Sequence, residues 1–250
     1  MAWDDDIGDE PKGALRDAPP DLRSPIDPRA PVGGHQPLAE PPTSIHDSPE
    51  HDWGVASELV MPLLRPLGSH GTRLAEIDAS RLASEGLRAH ALPVVDEGPS
   101  GLLIAYAIRA GGFDVLVNAD HLLEWRISPP ELRAAAMTNL GRWSTGVGWT
   151  EEIDGQRHLI SSDSGDGHDA SRILLQEVRR HLVIQLGEGC RILVAMPDRH
   201  LLLAGACRVT DPTFPELFAA FVEAHADGAD EPIDRRVFEL VSDDLKPFEP

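Results

Sequence analysis

No stretch of the 250-residue chain approaches the roughly 18 consecutive apolar residues of a membrane-spanning helix, so a membrane protein of that kind is not expected. Basic residues are scarce as well. The 22 Lys and Arg stand against 42 Asp and Glu, a net charge of -20 that repels phosphate backbones and anionic lipid alike and excludes nucleic acid as an expected partner. Cysteine is limited to Cys190 and Cys207, too few to staple a chain of this length and outside the CxxC or CxxH spacing of a structural zinc site. The opening residues, Met1-Ala2-Trp3-Asp4-Asp5-Asp6, are acidic where a secretory signal is basic, which predicts a cytoplasmic location. The motifs GxSxG, GxxxxGK(S/T) and GxGxxG do not occur, so the common hydrolase, P-loop and dinucleotide sites have no foothold and no cofactor is implied. A repeat of fixed period is also missing, which excludes solenoids and propellers.

What is present divides into two parts. Residues 1 to 50 hold ten of the 22 prolines and eleven acids against four bases, with hardly an aliphatic residue, a composition that cannot bury enough surface to offset chain entropy. Residues 1–52 are therefore expected to form a disordered acidic tail, a spacer or a segment that folds on a basic partner, followed by a single α+β domain over 53–250. Val55, Leu59, Val60, Leu63 and Leu64 recur at helical spacing and predict a first helix that ends near Pro66 and Gly68. A strand is expected over Ala89–Val95. Leu102–Ile108 and Phe113–Val117 flank Gly111-Gly112, a two-residue turn that pairs Ala110 with Phe113 and Tyr106 with Val117. Ser128-Pro129-Pro130-Glu131 starts a helix with a capping box, expected to run to Leu140 and stop at Gly141.

Beyond it, Gly141–Gly155 reads as a loop or distorted strand carrying Trp143 and Trp149, which either pack on the domain or form a partner surface. Arg157–Ser162 predicts a strand and Asp169–Leu186 one long helix. The apolar runs Cys190–Met196 and Leu201–Cys207 form a hairpin covered on both faces, in a register that sets Cys190 opposite Cys207. That pair is either two buried thiols or a cross-strand dithiol. A helix over Pro212–Ala226, through Leu217, Phe218, Phe221 and Val222, and a strand over Arg235–Val241 complete the domain.

One polar constellation stands out. Ser161-Ser162-Asp163-Ser164-Gly165-Asp166-Gly167-His168-Asp169 places three acids and an imidazole on a flexible loop, side chains that hard or borderline divalent cations select. The spacing is not that of an EF-hand: counted from Asp163, position three is Gly165 and position twelve is Leu174. Capping of the following helix by Asp166, His168 or Asp169 is the competing reading.

Taken together, Ile104–Ile108 with the Gly-Gly turn, Ala135–Leu140, the segment Asp166-Gly167-His168-Asp169-Ala170-Ser171-Arg172-Ile173-Leu174 and the Cys190–Cys207 hairpin resemble, in that order, the bacterial YtpQ-like proteins, domain-of-unknown-function family 1444. The resemblance covers about Leu102 to Val241. It implies a bacterial protein with no established activity, and it suggests a fixed structural job at the loop-to-helix junction for Asp169, Ser171 and Arg172, by hydrogen bonds and a local ion pair.

The sequence thus favours a non-catalytic protein-binding module, adaptor or chaperone-like, using Trp143 and Trp149 to meet an unidentified, basic protein partner. The alternative is a metal-dependent hydrolase using Asp163, Asp166, His168 and Asp169.

Overall fold

A computed structural model of the chain describes residues 48–66, 68–77, 92–110, 113–187 and 189–249. The expected acidic tail lies outside these residues as far as residue 47, as do the Gly111-Gly112 turn and residues 89–91 of the expected first strand. The described residues form an α+β fold of five α-helices and two sheets.

Asp52 caps helix α1 (Trp53–Leu59) by accepting from the Gly54 N–H at 2.7 Å. The helix expected through Leu64 stops five residues early, and strand β1 (Val60–Arg65) takes its place. Pro62 is the reason: it has no N–H for the helix ladder and disfavours helical geometry at Met61. Buried Asn139 then fixes the switch, its Nδ2 donating to the carbonyls of Ser57 at 2.8 Å and Val60 at 2.9 Å.

Strand β1 pairs antiparallel with β4 (Leu103–Ala110), whose other edge takes β3 (Val94–Glu97) and then β5 (Phe113–Leu116), while β2 (Thr72–Arg73) runs parallel to β3. The β4–β5 register is the predicted one, with Ala110 opposite Phe113 and Ile108 opposite Val115. Tyr106, Ile108 and Val117 are buried as expected, and the Tyr106 hydroxyl donates to Asp96 at 2.6 Å. Helix α2 (Ala119–Trp125), unpredicted, opens on Asn118, which exchanges capping bonds with His121.

Helix α3 (Pro129–Thr145) starts at Ser128, where Glu131 accepts from both the backbone and the hydroxyl of the serine. It runs through Gly141 and ends at Gly146, so Trp143 lies on a helix rather than in a loop. Leu132 and Ala136 pack with α1, α2 and the β1–β5 sheet, while Leu140 joins a second core with Met61, Leu64 and Ile173.

The second sheet is antiparallel throughout, in the order β11 (Asp244–Pro247), β10 (Phe238–Val241), β8 (Arg191–Ala195), β9 (Leu202–Cys207), β7 (Arg157–Ser162), β6 (Thr150–Asp154). One face, with Ile192, Val194 and Ala204, meets helix α4 (Gln176–Leu186) through Val178, Leu182 and Leu186; the other, with Leu193, Ala195 and Leu203, meets helix α5 (Phe214–Gly228) through Phe214, Phe218 and Val222. The β8–β9 hairpin is central and covered on both faces, as its sequence predicts.

Its register is shifted by one from the expectation: Arg191, not Cys190, lies opposite Cys207, and Val194 faces Ala204. The expectation assumed a short turn closed by local pairing. Instead the Arg199 loop is held from outside, because the Pro197 carbonyl accepts from the Ile233 N–H at 3.0 Å and the Arg199 N–H donates to the Glu231 carbonyl at 3.2 Å. Both cysteines are free thiols.

Candidate functional site

The segment Asp163–Leu174 passes from β7 into α4, and each of its candidate residues has a defined place. Asp169 is fully buried, and its carboxylate accepts from the Ser162 hydroxyl at 2.5 Å and the Ser164 hydroxyl at 2.7 Å. Asp169 does not cap a helix through its side chain, which corrects the capping expectation. Neither is there one helix from Asp169 to Leu186: a 3₁₀ turn (Ala170–Leu174) breaks at Leu175, which is extended, before α4 begins. The break is sealed by Arg179, whose Nη1 donates to the carbonyls of Ile173 at 2.7 Å and Leu174 at 3.0 Å.

Arg172 is the centre of the junction. Only 2% exposed, it donates from Nε to the Ser144 hydroxyl at 3.0 Å and from Nη1 to the Gly148 carbonyl at 3.3 Å and the Ser162 hydroxyl at 2.6 Å. Its Nη2 reaches the carbonyls of Ser144 and Val147, both at 3.3 Å. A guanidinium has five N–H donors, and all are satisfied. Three of the acceptors are carbonyls at and just past the end of α3, where the helix dipole favours a cation. The expected Asp169–Arg172 ion pair is replaced by a relay in which Ser162 receives from Arg172 and donates to Asp169. Burial pushes the Arg172 pKa down to about 10 while Asp169 opposes the shift, so the group stays cationic at neutral pH. Ser171 completes the junction by accepting from the Leu64 N–H of β1 at 3.2 Å.

The two tryptophans belong to this junction rather than to a free surface. Trp149 lies beneath Arg172, whose guanidinium carbon is 3.8 Å from the ring centroid, and stacks on His181 at 5.0 Å. Trp143 donates its indole N–H to Asp166 at 3.2 Å and meets the His168 ring edge-on at 5.5 Å. Both are half-buried against the core. Each ring thus has an internal partner, Trp149 the buried guanidinium and Trp143 the buried imidazole.

The proposed metal set is not assembled. His168 is 3% exposed, and burial lowers its pKa to about 4, so it is neutral. Its Nδ1 has no hydrogen-bond partner. Asp166 is turned to Trp143 and Arg109, and Asp163 lies exposed on another wall of the domain. Among the described residues no group of three or more His, Cys, Asp and Glu side chains is placed to hold a metal ion.

Arg199, in the loop after β8, escaped the sequence reading. Its side chain donates to the Gly167 carbonyl at 3.1 Å and pairs with Asp114 and with Glu231 at 3.1 Å, while its backbone carbonyl accepts from the Ala170 N–H at 3.3 Å. Gly167 has φ near +78°, a conformation that favours glycine, and sits against this side chain, where a Cβ would lie 2.6 Å from Arg199 Nε and displace it.

A different surface has the character of a binding site. Between α5 and the β6–β7 hairpin lies a groove of about 410 Å³, floored by Leu159, Leu201 and Leu203 and walled by Phe218, Leu217 and Phe221. Leu217 and Phe221, expected in the core, are each 51% exposed. The basic side chains of the lining already have partners, Arg157 in Asp211 at 2.6 Å and His225 in Asp198 at 2.8 Å. Its acids, Glu152 and Asp163, have no ion-pair partner among the described residues.

Compared with known proteins, the chain matches no family model, no curated protein and no solved structure. Among the described residues no helix is long and apolar enough to cross a membrane.

Proposed function

We propose that this chain is a non-catalytic protein-binding module, adaptor or chaperone-like, of the cytoplasm, and that it belongs with the YtpQ-like proteins it resembles over Leu102–Val241. The partner surface is the α5 groove, in place of Trp143 and Trp149. One observation carries the reading: Leu217 and Phe221 are half-exposed on one helix face beside an apolar floor, under acids with no counter-charge. Exposed contiguous apolar surface rimmed by polar groups marks interaction sites, and the acids select a basic partner. The side chains that a hydrolase would need at the Asp/His loop are instead spent on Ser162, Ser164, Trp143 and the core.

Affinity capture from native lysate with the wild-type chain and with the Leu217→Asp, Phe221→Asp double variant tests this. The reading predicts a stoichiometric protein held by the first and lost by the second. Equal capture by both, or none by the wild type, contradicts it.

A further inference from the structure

The six-stranded sheet has a vacancy on its α5 face. Six strands span about 24 Å across the sheet, whereas one helix is about 10 Å wide. Helix α5 packs on β8 and β9. On the β10 side the face is closed by the Arg191–Glu239 pair at 2.8 Å and by Phe248, which lies under Arg191 with 4.5 Å from guanidinium carbon to ring centroid. On the β6–β7 side Leu159 is only partly covered, packed at one edge against the α5 core, and the flank of α5 turned to that side carries Leu217 and Phe221. The exposed residues Leu217, Ala220, Phe221 and Ala224 follow i, i+3, i+4, i+7 spacing, the stripe with which one helix meets another, and the two alanines permit close approach.

Charge decides what fills the vacancy. The free acids around it are Glu152 and Asp163 on the hairpin side. A second copy would bring the same acids face to face in a chain of net charge -20, and residues 1–50, with eleven acids against four bases, have the wrong sign. Resting on the reading that this groove binds protein, we infer that its occupant is an amphipathic helix of a partner chain with a basic flank, laid on β6–β7 alongside α5. Its apolar stripe covers Leu159, Leu217 and Phe221 while its Lys and Arg side chains meet Glu152 and Asp163.

Two synthetic probes of equal leucine and lysine composition, each about 18 residues so that a helix can form, test the inference by calorimetry with the full chain. One spaces leucine at helical period; the other alternates leucine with lysine, the pattern of a strand that would add to the exposed edge of β6. The helical probe is expected to bind, to gain helical circular dichroism on binding, and to lose at least about tenfold in affinity against Leu217→Glu, Phe221→Glu. That double variant adds two negative charges, so equal or tighter binding to it means bare charge attraction and overturns the inference. Glu152→Gln, Asp163→Asn, exposed changes that spare the core, are expected to weaken binding too; unchanged affinity overturns the charge assignment. If the alternating probe binds more tightly, the occupant is a strand and the inference fails while the protein-binding reading survives. If neither probe binds, both fall.

Discussion

Arg172 is a cation almost wholly removed from water, without a carboxylate in direct contact, and it is tolerated because every donor has an acceptor and α3 points its carbonyl end at it. Removing it strands the carbonyls of Ser144, Val147 and Gly148 and leaves Asp169 buried without its counter-charge. Arg172→Met is expected to lower stability by about 3–5 kcal/mol, the usual cost of breaking a buried charged network from one side. Arg172→Lys should rescue little of this, since an ammonium offers three donors and no planar fork. Urea unfolding of the three proteins checks both statements. His168 supplies a pH dependence. Its folded pKa of about 4 lies below the ordinary 6.5, so between those values the unfolded chain binds the proton more readily and stability falls with falling pH. The full effect, roughly 3 kcal/mol, is present above pH 6.5 and disappears as the pH drops to about 4. The difference in unfolding midpoint between wild type and His168→Phe should therefore be flat above pH 6.5 and move against the wild type below it.

At the scale of the element, the seat of α5 depends on one residue of β9. Gly205 lies under the ring of Phe214, and a Cβ there would come within 2.6 Å of Phe214 Cζ and 2.9 Å of Leu159 Cδ2. Gly205→Ala is expected to lift the start of α5 from the sheet at about 1–3 kcal/mol, read as a lower thermal midpoint and as faster amide exchange confined to α5 and β9. Elements with strong local signals were legible in the sequence: the β4–β5 register from its two-residue turn, and the start of α3 from Ser128 and Glu131. Errors came where distant groups decide. Pro62 was visible, yet the periodicity of Val55–Leu64 masked it; Gly141 did not stop α3, because the helix end is fixed further on by Arg172; and the Arg199 loop, held at Glu231 and Ile233, shifted the β8–β9 register by one residue. Of the candidate site, Asp169, Ser171 and Arg172 were singled out as a junction through the resemblance alone, whereas Arg199, Ser144 and Ser162, which complete the junction, carry no local signal. The groove was hidden because Leu217 and Phe221 share the periodicity of the buried Phe218 and Val222, and periodicity alone does not say how wide a helix face is covered.

For the molecule as a whole, the two centres of interest are the Asp169–Arg172 junction and the groove proposed as the partner surface. The Asp169–Arg172 junction ties β1, α3, β7 and the Arg199 loop together. The α5 groove lies on the opposite face of the six-stranded sheet from α4, in a strongly acidic molecule; under the proposal, net charge attracts a basic chain at a distance and apolar contact holds it close in. Because the attraction is partly between exposed charges, binding of the helical leucine–lysine probe should weaken as salt rises and retain its dependence on Phe221 throughout. The most direct measurement is methyl NMR of the full chain titrated with that probe. The account predicts that the methyl signals of Leu159, Leu201, Leu203 and Leu217 shift together and saturably, while those of Leu122 and Leu132, in the core beside the other sheet, do not move. Shifts centred on Leu122 and Leu132, or none at the four groove leucines while the probe binds, would contradict it.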